Sequence, residues 1–350
     1  MTETSANSGS HPSPVPASNP SATSTATSVS TNVDPTSQSM DSAAAVHPVE
    51  TASFGTDSGP LLIIHGGAGA RRAPLSPEDA AAAEAGLTSA LEAGQAVLAA
   101  GGSALDAVQA AVMELENAPH FNAGRGAALT LAGRAELDSA IMAGDGTAGA
   151  VTAVKSAKNP VTAARAVKER TPHVLITAPS EELLGEWGVE TAPAEYFITE
   201  KRRTQLADFL AKRSAGQTHG TVGAVARDAA GHVAAATSTG GISGQMDGRI
   251  GDTPILGAGT YADDASVAVS CTGKGESFMR TVAAHSIATL VSLAGRPVAE
   301  AAAIALDRVA AADGDGGVIV VPATGAGVIA YNSGDMYYGA ATAGGLTVHL

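Results

Sequence analysis

The spacing of apolar positions separates a folded region from a polar N-terminal segment. Residues 1–59 are rich in Ser, Thr, Pro and Ala and contain hardly any aromatic residue, so they offer too little apolar surface to offset the entropy lost on folding. This segment predicts a disordered tail. The run Leu61–Ile64 is apolar throughout and predicts a buried strand that ends in a glycine-rich segment, His65–Gly69. We therefore expect a single folded domain over residues 60–350.

Helical periodicity follows capping signals in several segments. Ser76 and Pro77 precede an Ala- and Leu-rich run that continues to about Ala100, and Ser103 precedes a run with apolar residues on one face. Both serines are expected to cap helices whose apolar faces pack on a sheet. Further helices are predicted from Asn159-Pro160 onward and over Glu276–Ala294 and Pro297–Ala312.

Short runs rich in Val, Ala and Ile predict strands joined by glycine-containing turns. These runs are His173–Ala178, Thr221–Arg227, His232–Thr239, Ser266–Thr272, Gly317–Val321 and Gly327–Tyr331. Residues 179–219 interrupt the rhythm, because they are charged in the middle and polar at the end, and they predict an exposed linker. Helices that precede clustered strands indicate a layered domain of mixed α and β structure.

Composition narrows the classes of function. A net charge of −14 with a pI near 5.0 disfavours nucleic acid and anionic membranes, which select clustered Lys and Arg, and favours small-molecule or peptide ligands. The single cysteine, Cys271, excludes an internal disulfide, and no Cys/His cluster suggests zinc. No Lys or Arg precedes Arg71 and no apolar run is long enough for a membrane helix. These features predict a soluble, cytoplasmic protein without a signal or transit peptide.

Three familiar catalytic motifs fail on inspection. The segment Gly273–Ser277 resembles a phosphate loop, but Ala268 and Gly275 stand where that motif requires Gly and Ser or Thr. The segment His65–Gly67 is similar to the oxyanion segment of esterases, but the chain lacks Gly-x-Ser-x-Gly. Cys271 lies in an alternating apolar strand, which is typical of a small core residue.

Hydroxyl, glycine and charged residues concentrate instead between His219 and Glu276, at predicted strand ends. Thr221 enters a strand directly after the polar linker, a position that β-propensity alone explains. Its companions favour a catalytic interpretation. Three more segments follow it in order at strand-to-loop transitions: Thr237–Gly241, Gly248–Asp252 and Ser270–Glu276.

With these segments the sequence resembles the plant-type L-asparaginases and isoaspartyl peptidases, which are N-terminal-nucleophile hydrolases. The resemblance covers nearly all of residues 60–350 and implies an α+β fold, a four-layer αββα sandwich. It also implies self-cleavage into an α subunit, residues 60–220, and a β subunit, residues 221–350. The matching segments are His65–Gly69, Phe121–Gly124, Glu136–Asp138, Gly220–Val225, the block at Thr239, Gly248–Asp252 and Thr272–Glu276.

A threonine at a chain start can be a nucleophile, because its α-amine has an ordinary pKa of about 7.7–8.0 and can act as general base. In the precursor, Thr221 would attack the carbonyl of Gly220 by an N-to-O shift, and hydrolysis of the resulting ester would leave Thr221 at a chain start with that amine free. The mature hydroxyl would then form a β-aspartyl ester with L-asparagine or a β-aspartyl dipeptide. Asparagine and the dipeptides present the same head group, so the sequence leaves the preference between them open.

The resemblance implies supporting roles for four residues near the nucleophile. Thr239 is similar to the threonine that orients and polarises the nucleophile. Thr272, through its hydroxyl, and Gly273, through its N–H, are similar to the oxyanion donors. Asn122 is similar to the family asparagine that lies near the nucleophile.

The resemblance also implies a clamp for a free amino-acid head group. Arg249 would bind the substrate α-carboxylate, and Asp252, with the region of Gly275, would bind the α-amine. A surface ion pair across a turn is the structural alternative for the two charged residues. Such a clamp favours small substrates over a general endopeptidase activity.

The segment after the second helix resembles the family loop whose backbone carbonyls hold a structural sodium ion. The carbonyls concerned belong to Leu115, Glu116, Ala118, Phe121, Ala123 and Arg125. A helix C-terminus that runs into a turn explains the same sequence without an ion. The resemblance implies no catalytic cofactor, and it implies a dimer of αβ heterodimers.

Two rival interpretations stay open at this stage. A glycosylasparaginase-like amidase has a cleavage site that resembles Asp-Thr, whereas Gly220 precedes Thr221 here and paired cysteines are lacking. A non-catalytic scaffold homologue is expected to lose Thr221, Thr239 or Arg249, and all three are present.

Overall fold

The structure is a computed structural model that describes residues 47–56, 58–70, 74–212 and 220–350. Most of the predicted tail, up to residue 46, and the end of the predicted linker, residues 213–219, lie outside the described residues. The tail prediction therefore stays a prediction over residues 1–46. Within the described ranges the chain forms two β-sheets with helices packed against them.

The strands are β1 (Glu50–Phe54), β2 (Leu61–Ala68), β3 (Leu137–Ala143), β4 (Ala148–Val154), β5 (Leu175–Thr177), β6 (Val222–Arg227), β7 (Val233–Thr239), β8 (Thr260–Ala262), β9 (Val267–Gly273), β10 (Gly316–Pro322), β11 (Gly327–Tyr331), β12 (Met336–Thr342) and β13 (Gly345–His349). The helices are α1 (Pro77–Ala99), α2 (Ala104–Asn117), α3 (Pro160–Arg170), α4 (Glu181–Glu186), α5 (Ala194–Phe197), α6 (Glu200–Lys212), α7 (Gly275–Thr281), α8 (Ala283–Ser292) and α9 (Val298–Ala311).

Strand order places the key chain ends side by side. The larger sheet has eight strands in the order β13-β12-β2-β6-β7-β3-β4-β5, and the smaller has five in the order β1-β11-β10-β9-β8. Neighbouring strands are antiparallel except β4 and β5. Because β6 and β7 are antiparallel, with Val222 opposite Ser238, the beginning of β6 lies beside the end of β7. Thr221 and Thr239 therefore lie next to each other at the same end of the β6–β7 pair.

Apolar side chains on the two faces of each sheet form three clusters. In β2, Leu62 and Ile64 pack towards α1 and α2, whereas Leu61 and Ile63 pack towards the smaller sheet. This alternation explains why the whole run is apolar, since both faces of the strand are covered. Each such fully buried side chain contributes roughly 1.5–3 kcal/mol. A third cluster joins the smaller sheet to α8 and α9 and contains Val269, Ile287, Leu306, Val309 and Val318.

The predicted helix starts at Ser76 and Ser103 are confirmed. Ser76 Oγ accepts a hydrogen bond from the backbone N–H of Asp79 at 3.0 Å, and Ser103 Oγ accepts one from the N–H of Asp106 at 3.1 Å. Each serine satisfies one of the N–H groups that the first turn of a helix leaves free. The two capped helices, α1 and α2, are adjacent and cover the larger sheet.

The predicted tail boundary at residue 59 is wrong. Residues Glu50–Phe54 form strand β1, which pairs along its length with β11 at the edge of the smaller sheet. Only alternate residues of β1 are shielded from solvent, so the segment lacks an apolar run. An edge strand gains its order from backbone pairing, which composition does not report.

The prediction of an exposed linker over residues 179–219 is also wrong for most of its length. This region contains α4, α5 and α6, and these short helices bury one side against the domain. The buried side chains of this region include Leu184, Trp187, Val189, Phe197 and Leu206, together with that of Arg202. Their apolar positions are separated by charged residues that face solvent, which gave the segment its polar appearance.

The predicted single helix over Glu276–Ala294 is two helices in the structure. Val282 adopts φ 49° and ψ 52° between α7 and α8. This left-handed conformation is unfavourable for a β-branched residue, and propensity gives no sign of it. Among the helices of the described residues, none is both long and apolar enough to cross a membrane.

Candidate active site

The centre of the site is a pair of threonine hydroxyls at adjacent strand ends. Thr221 precedes β6 and Thr239 ends β7, and their Oγ atoms are 3.1 Å apart. Thr239 Oγ also accepts a hydrogen bond from the N–H of Gly241 at 3.1 Å and donates to the carbonyl oxygen of Gly220 at 3.2 Å. Because the Thr239 proton points to that carbonyl, the Thr221 hydroxyl is the donor between the two threonines. The arrangement directs the Thr221 proton towards Thr239.

Asn122 makes a second contact with the same carbonyl. Its Nδ2 lies 2.6 Å from the carbonyl oxygen of Gly220 and 2.6 Å from that of Gly241, and its Oδ1 accepts a hydrogen bond from the N–H of Ala128 at 2.6 Å. The backbone donor at Ala128 fixes which end of the side-chain amide is oxygen. Both amide hydrogens therefore point to carbonyl oxygens, one of which is that of Gly220.

The glycine-rich end of β2 and the end of β9 border the other side of Thr221. Gly67 adopts φ +116°, and a Cβ at this position would lie 3.1 Å from Gly220 Cα, so a side chain would push the chain away from the threonines. The N–H of Ala68 donates to Thr272 Oγ at 3.2 Å. Thr272 is fully buried, and this contact leaves its hydroxyl proton free to point elsewhere. Gly273 follows and lines the same cleft as Thr221.

Arg249 also lines this cleft and is held by an acidic partner. Its Nε and Nη2 donate to Glu276 Oε1 at 2.9 and 2.8 Å, and its Nη1 lies 3.5 Å from Gln245 Oε1. The Arg249 side chain is 16% exposed and that of Glu276 is 46% exposed. A guanidinium has five donors in one plane, so Arg249 can bind a further carboxylate while its orientation is maintained.

Asp252 is the second charged residue in the cleft. Burial raises its pKa to about 7, against the opposing effect of its own backbone N–H and of Arg249. Its Oδ2 is buried and has no hydrogen-bond partner, which costs roughly 1–3 kcal/mol or more for a charged group. Gly275 lies against it, since a Cβ there would be 2.8 Å from Asp252 Oδ1 and 3.3 Å from Arg249 Nη2. The missing side chain lets both charged groups face the same space.

The structure therefore brings most of the predicted site residues to one small cleft. The cleft is lined by Gly220, Thr221, Thr239, Gly241, Ile242, Arg249, Gly251, Asp252, Gly273 and Gly275. Asn122 and Thr272 lie directly behind this lining and reach it through the contacts described above. Gly220 itself lines the cleft, so the residue directly before Thr221 is part of the wall.

Two acidic residues for which no role was predicted, Glu136 and Asp138, hold the loop that carries Arg249 and Asp252. Glu136 Oε2 accepts a hydrogen bond from the N–H of Gly248 at 2.7 Å. Asp138 Oδ1 accepts from the N–H of Ala153 at 2.9 Å and the carboxylate also binds the N–H of Gly251. Burial raises the pKa of Asp138 to about 6. The motif Glu136–Asp138 was visible in the sequence, but only the fold places it under the loop.

The loop after α2 folds back on the end of that helix. The N–H of Arg125 donates to the carbonyl oxygen of Glu116 at 2.8 Å, and a Cβ on Gly126 would lie 2.8 Å from the carbonyl oxygen of Phe121. Carbonyl oxygens are thus crowded on the inside of the loop, and such oxygens suit a hard cation. In the part of the chain that the structure describes, no group of three or more His, Cys, Asp or Glu side chains could hold a metal ion.

Comparison with known proteins identifies the family. A family model described as Asparaginase matches residues 58–349. The chain belongs to the asparaginase family. Within this family, it is 44% identical to the isoaspartyl peptidase of Salmonella typhimurium over 295 residues, which cover 79% of the chain and 93% of that protein. It is 42% identical to the human isoaspartyl peptidase/L-asparaginase over 296 residues, which cover 82% of the chain and 94% of that protein.

In this asparaginase chain, the segments that carry the family resemblance come from distant elements. They lie at the end of β2, after α2, at the start of β3, around the beginning of β6, at the end of β7, in the loop between β7 and β8, and from the end of β9 into α7. All of them meet around Thr221 or the loop with Arg249. The family pattern thus marks one site and not a scattered set of structural residues.

Proposed function

We propose that this protein cleaves itself between Gly220 and Thr221 and then hydrolyses the side-chain amide of L-asparagine and the isopeptide bond of β-aspartyl dipeptides. One observation carries the proposal. The Thr239 hydroxyl and the Asn122 amide both donate to the Gly220 carbonyl oxygen, at 3.2 and 2.6 Å, and the Thr221 hydroxyl donates to Thr239 Oγ at 3.1 Å. The names of the relatives, isoaspartyl peptidase and L-asparaginase, support the same substrates.

Self-cleavage begins when Thr221 Oγ bonds to the carbonyl carbon of Gly220. The Thr221 proton passes to Thr239 Oγ, and Thr239 passes its own proton to the carbonyl oxygen, whose developing charge Asn122 Nδ2 also stabilises. As the C=O bond re-forms, the proton on its oxygen passes to Thr221 N and the bond from the carbon to that nitrogen breaks. An ester then links Gly220 to Thr221 Oγ, and the α-amine of Thr221 is free. Addition of water to the ester then releases a carboxylate on Gly220 and the hydroxyl of Thr221, whose α-amine is already free.

Turnover uses the same hydroxyl with a different base. The freed amine of Thr221 removes the hydroxyl proton as Oγ attacks the β-carbonyl carbon of the substrate. Thr272 Oγ and the N–H of Gly273 stabilise the oxyanion, and the N–H of Ala68 keeps the Thr272 hydroxyl oriented. Ammonia or the amino component leaves with the proton, and water hydrolyses the β-aspartyl ester.

Head-group recognition explains why the substrates are small. Arg249, held by Glu276, binds the α-carboxylate through a bidentate pair of N–H donors. Asp252 binds the α-amine, which supplies the partner that its buried Oδ2 lacks. Gly275 leaves room for both interactions. Release of the Gly220 end from the cleft wall makes space for the substrate.

We also propose how the layers of the fold are arranged and how the mature subunits assemble. We assign the two sheets, with α1–α3 on one side and α8 and α9 on the other, to the four-layer αββα sandwich. The mature enzyme is a dimer of αβ heterodimers with no catalytic cofactor. A structural sodium ion would be held by the carbonyls of Leu115, Glu116, Ala118, Phe121, Ala123 and Arg125. The buried free thiol of Cys271 suits a reducing compartment such as the cytoplasm.

Intact mass spectrometry of the purified protein tests the central step. Incubation is expected to give two fragments whose masses sum to that of the chain plus one water, with Thr221 at the start of the smaller one. The Thr221→Ala variant should remain whole, and Thr221→Ser should still cleave because it keeps a hydroxyl. A wild-type chain that is folded and stays whole would overturn the proposal.

A second assay addresses the substrates. Ammonia release from L-asparagine and amino-acid release from β-aspartyl dipeptides are measured on the cleaved enzyme, with N-terminally acetylated asparagine as a control. Acetylation removes the charge that Asp252 binds, so the control compound should be turned over poorly. Equal turnover of the acetylated and free compounds would contradict the head-group clamp.

A further inference from the structure

His65 lies in β2 between the two sheets, and its imidazole is fully buried. Its Nδ1 is 2.8 Å from the carbonyl oxygen of Thr221, and its Nε2 is 2.8 Å from Ser270 Oγ. The ring therefore touches the backbone of Thr221 on one side and the smaller sheet on the other. None of the steps proposed above uses this contact.

The partners of His65 determine where its proton lies. A carbonyl oxygen can only accept, so Nδ1 must carry the hydrogen that it shares with Thr221. Burial lowers the pKa of His65 to about 3, against the opposing effect of the Thr221 carbonyl, so the ring is neutral and has no second proton. Nε2 is then an acceptor, and the Ser270 hydroxyl donates to it.

A chain of buried hydroxyls continues from Ser270 and supports this arrangement. Ser270 Oγ is 2.8 Å from Thr237 Oγ, which is 2.7 Å from Thr260 Oγ, and Thr260 Oγ is 3.0 Å from the carbonyl oxygen of Thr253. Each hydroxyl has one proton, so if Ser270 donates to His65, Thr237 donates to Ser270. Thr260 can then donate either to Thr237 or to the Thr253 carbonyl, but not to both. The one contact without a proton is therefore at the Thr260 end of the chain, away from Thr221.

Gly223 provides an independent sign that the His65–Ser270 contact is built into the fold. Gly223 lies opposite His65 in the β2–β6 pair. A Cβ at Gly223 would overlap both Ser270 Oγ and His65 Nε2. The absence of a side chain at Gly223, in β6, therefore leaves room for the hydrogen bond between His65 and Ser270 that joins the two sheets.

We propose that His65 is a positioning residue for the reaction at Thr221, which rests on the proposed role of Thr221 as the nucleophile. The Nδ1–H of His65 fixes the plane of the peptide that follows Thr221. The Cα of Thr221 lies in that plane and carries both the α-nitrogen and Cβ. Held by His65 at its carbonyl and by Thr239 at its hydroxyl, Thr221 presents its amine and its Oγ in one fixed relation.

Two substitutions by amide side chains test the two ring nitrogens of His65 one at a time. In His65→Asn an amide N–H takes the place of Nδ1–H, whereas in His65→Gln the amide reaches the place of Nε2 and the donor to Thr221 is lost. We expect His65→Gln to lower kcat and the rate of self-cleavage by about ten- to a hundredfold with KM nearly unchanged, because misplacement by a fraction of an ångström is costly. His65→Asn should recover most of that loss.

The same two variants distinguish a positioning role of His65 from a purely structural one. A role limited to filling space between the sheets predicts that both variants lose thermal stability alike and that neither differs selectively in kcat. A folded His65→Gln variant with wild-type kcat and cleavage rate overturns the proposal. So does a folded His65→Asn variant that is as slow as His65→Gln.

The tautomer can be measured without substitution and without activity. ¹⁵N spectra of histidine-labelled protein, in both the wild type and uncleaved Thr221→Ala, report which ring nitrogen carries the proton. We expect a neutral His65 with a protonated Nδ1 between pH 5 and pH 8, approximate limits set by its strongly lowered pKa. An Nε2–H tautomer or an imidazolium in this range overturns the proposal. Failure of the wild type to cleave would contradict the proposed function but would leave this spectrum readable.

Discussion

Asn122 Nδ2 lies 2.6 Å from the carbonyl oxygen of Gly220, although the two residues are 98 positions apart in the chain. The same oxygen receives the Thr239 hydroxyl at 3.2 Å. A carbonyl with two donors is polarised before any bond is made to its carbon. The peptide bond that we propose as the cleavage site is thus the one with a preformed pair of oxyanion donors.

Asn122→Asp tests this polarisation with little change of shape. The variant keeps an oxygen that can accept from the N–H of Ala128, but it replaces the donor to Gly220 with a second oxygen. We expect self-cleavage to slow by roughly 100- to 1,000-fold, the usual cost of one oxyanion donor, as followed by intact mass spectrometry over time. Circular dichroism should show an unchanged fold. A cleavage rate within threefold of wild type, a difference of about 0.7 kcal/mol in the barrier, would contradict the role of Asn122.

Thr239→Ala removes the group that receives the Thr221 proton and that donates to the Gly220 carbonyl. Both self-cleavage and turnover of asparagine are expected to fall by about two orders of magnitude or more. Thr239→Ser keeps the hydroxyl and is the matched control, which should retain most of both rates. If the alanine and serine variants behave alike, the hydroxyl of Thr239 has no part in the reaction.

Arg249→Lys keeps the charge and loses the planar pair of donors. Because hydrogen bonds between charged groups are worth about 1.5–3 kcal/mol, we expect KM for asparagine to rise by roughly 10- to 100-fold with a smaller change in kcat. The control substrate is 3-aminopropanamide, which lacks the α-carboxylate. It should be a poor substrate for both enzymes and should show no difference between them. A similar loss on both substrates would place the effect elsewhere in the site.

The pH dependences of KM and kcat should distinguish the titration of Asp252 from that of the Thr221 amine. Burial raises the pKa of Asp252 from 3.8 to about 7, so the free enzyme carries the carboxylate that binds the substrate amine only above that pH. We expect KM to rise as the pH falls through 7, whereas kcat follows the Thr221 amine, whose ordinary pKa is about 7.7–8.0. In Asp252→Asn, KM should be high and nearly independent of pH. A wild-type KM that is constant from about pH 5 to 8 would contradict the assigned role.

The same shift predicts an effect on stability. A carboxyl whose pKa is higher in the folded protein binds more protons there than in the unfolded chain between pH 3.8 and about 7, so its contribution to stability is lost as the pH rises through this interval. The buried, unpaired Oδ2 of Asp252 is the physical cause. Thermal melts of uncleaved Thr221→Ala, with and without Asp252→Asn, should show the smaller pH dependence in the double variant.

Local sequence determined the elements whose signals lie within a few residues of one another. Ser76 and Ser103 cap helices as their spacing indicated, and the apolar runs Leu61–Ile64 and Gly327–Tyr331 lie in strands. Caps and strand periodicity depend on short-range geometry, so they can be seen in a single sequence. The residue types at Thr221, Arg249 and Asp252 also indicated the chemistry, because few side chains can perform it.

Tertiary structure alone decided which of these groups meet. Strand β1 and the helices α4–α6 take their order from partners elsewhere in the chain, so their polar sequences suggested a tail and a linker. Asn122 reaches Gly220 across 98 positions, and His65 reaches Ser270 across 205. Sheet pairing and register create such contacts, and a register set by distant strands leaves no periodic signal in the residues that it brings together.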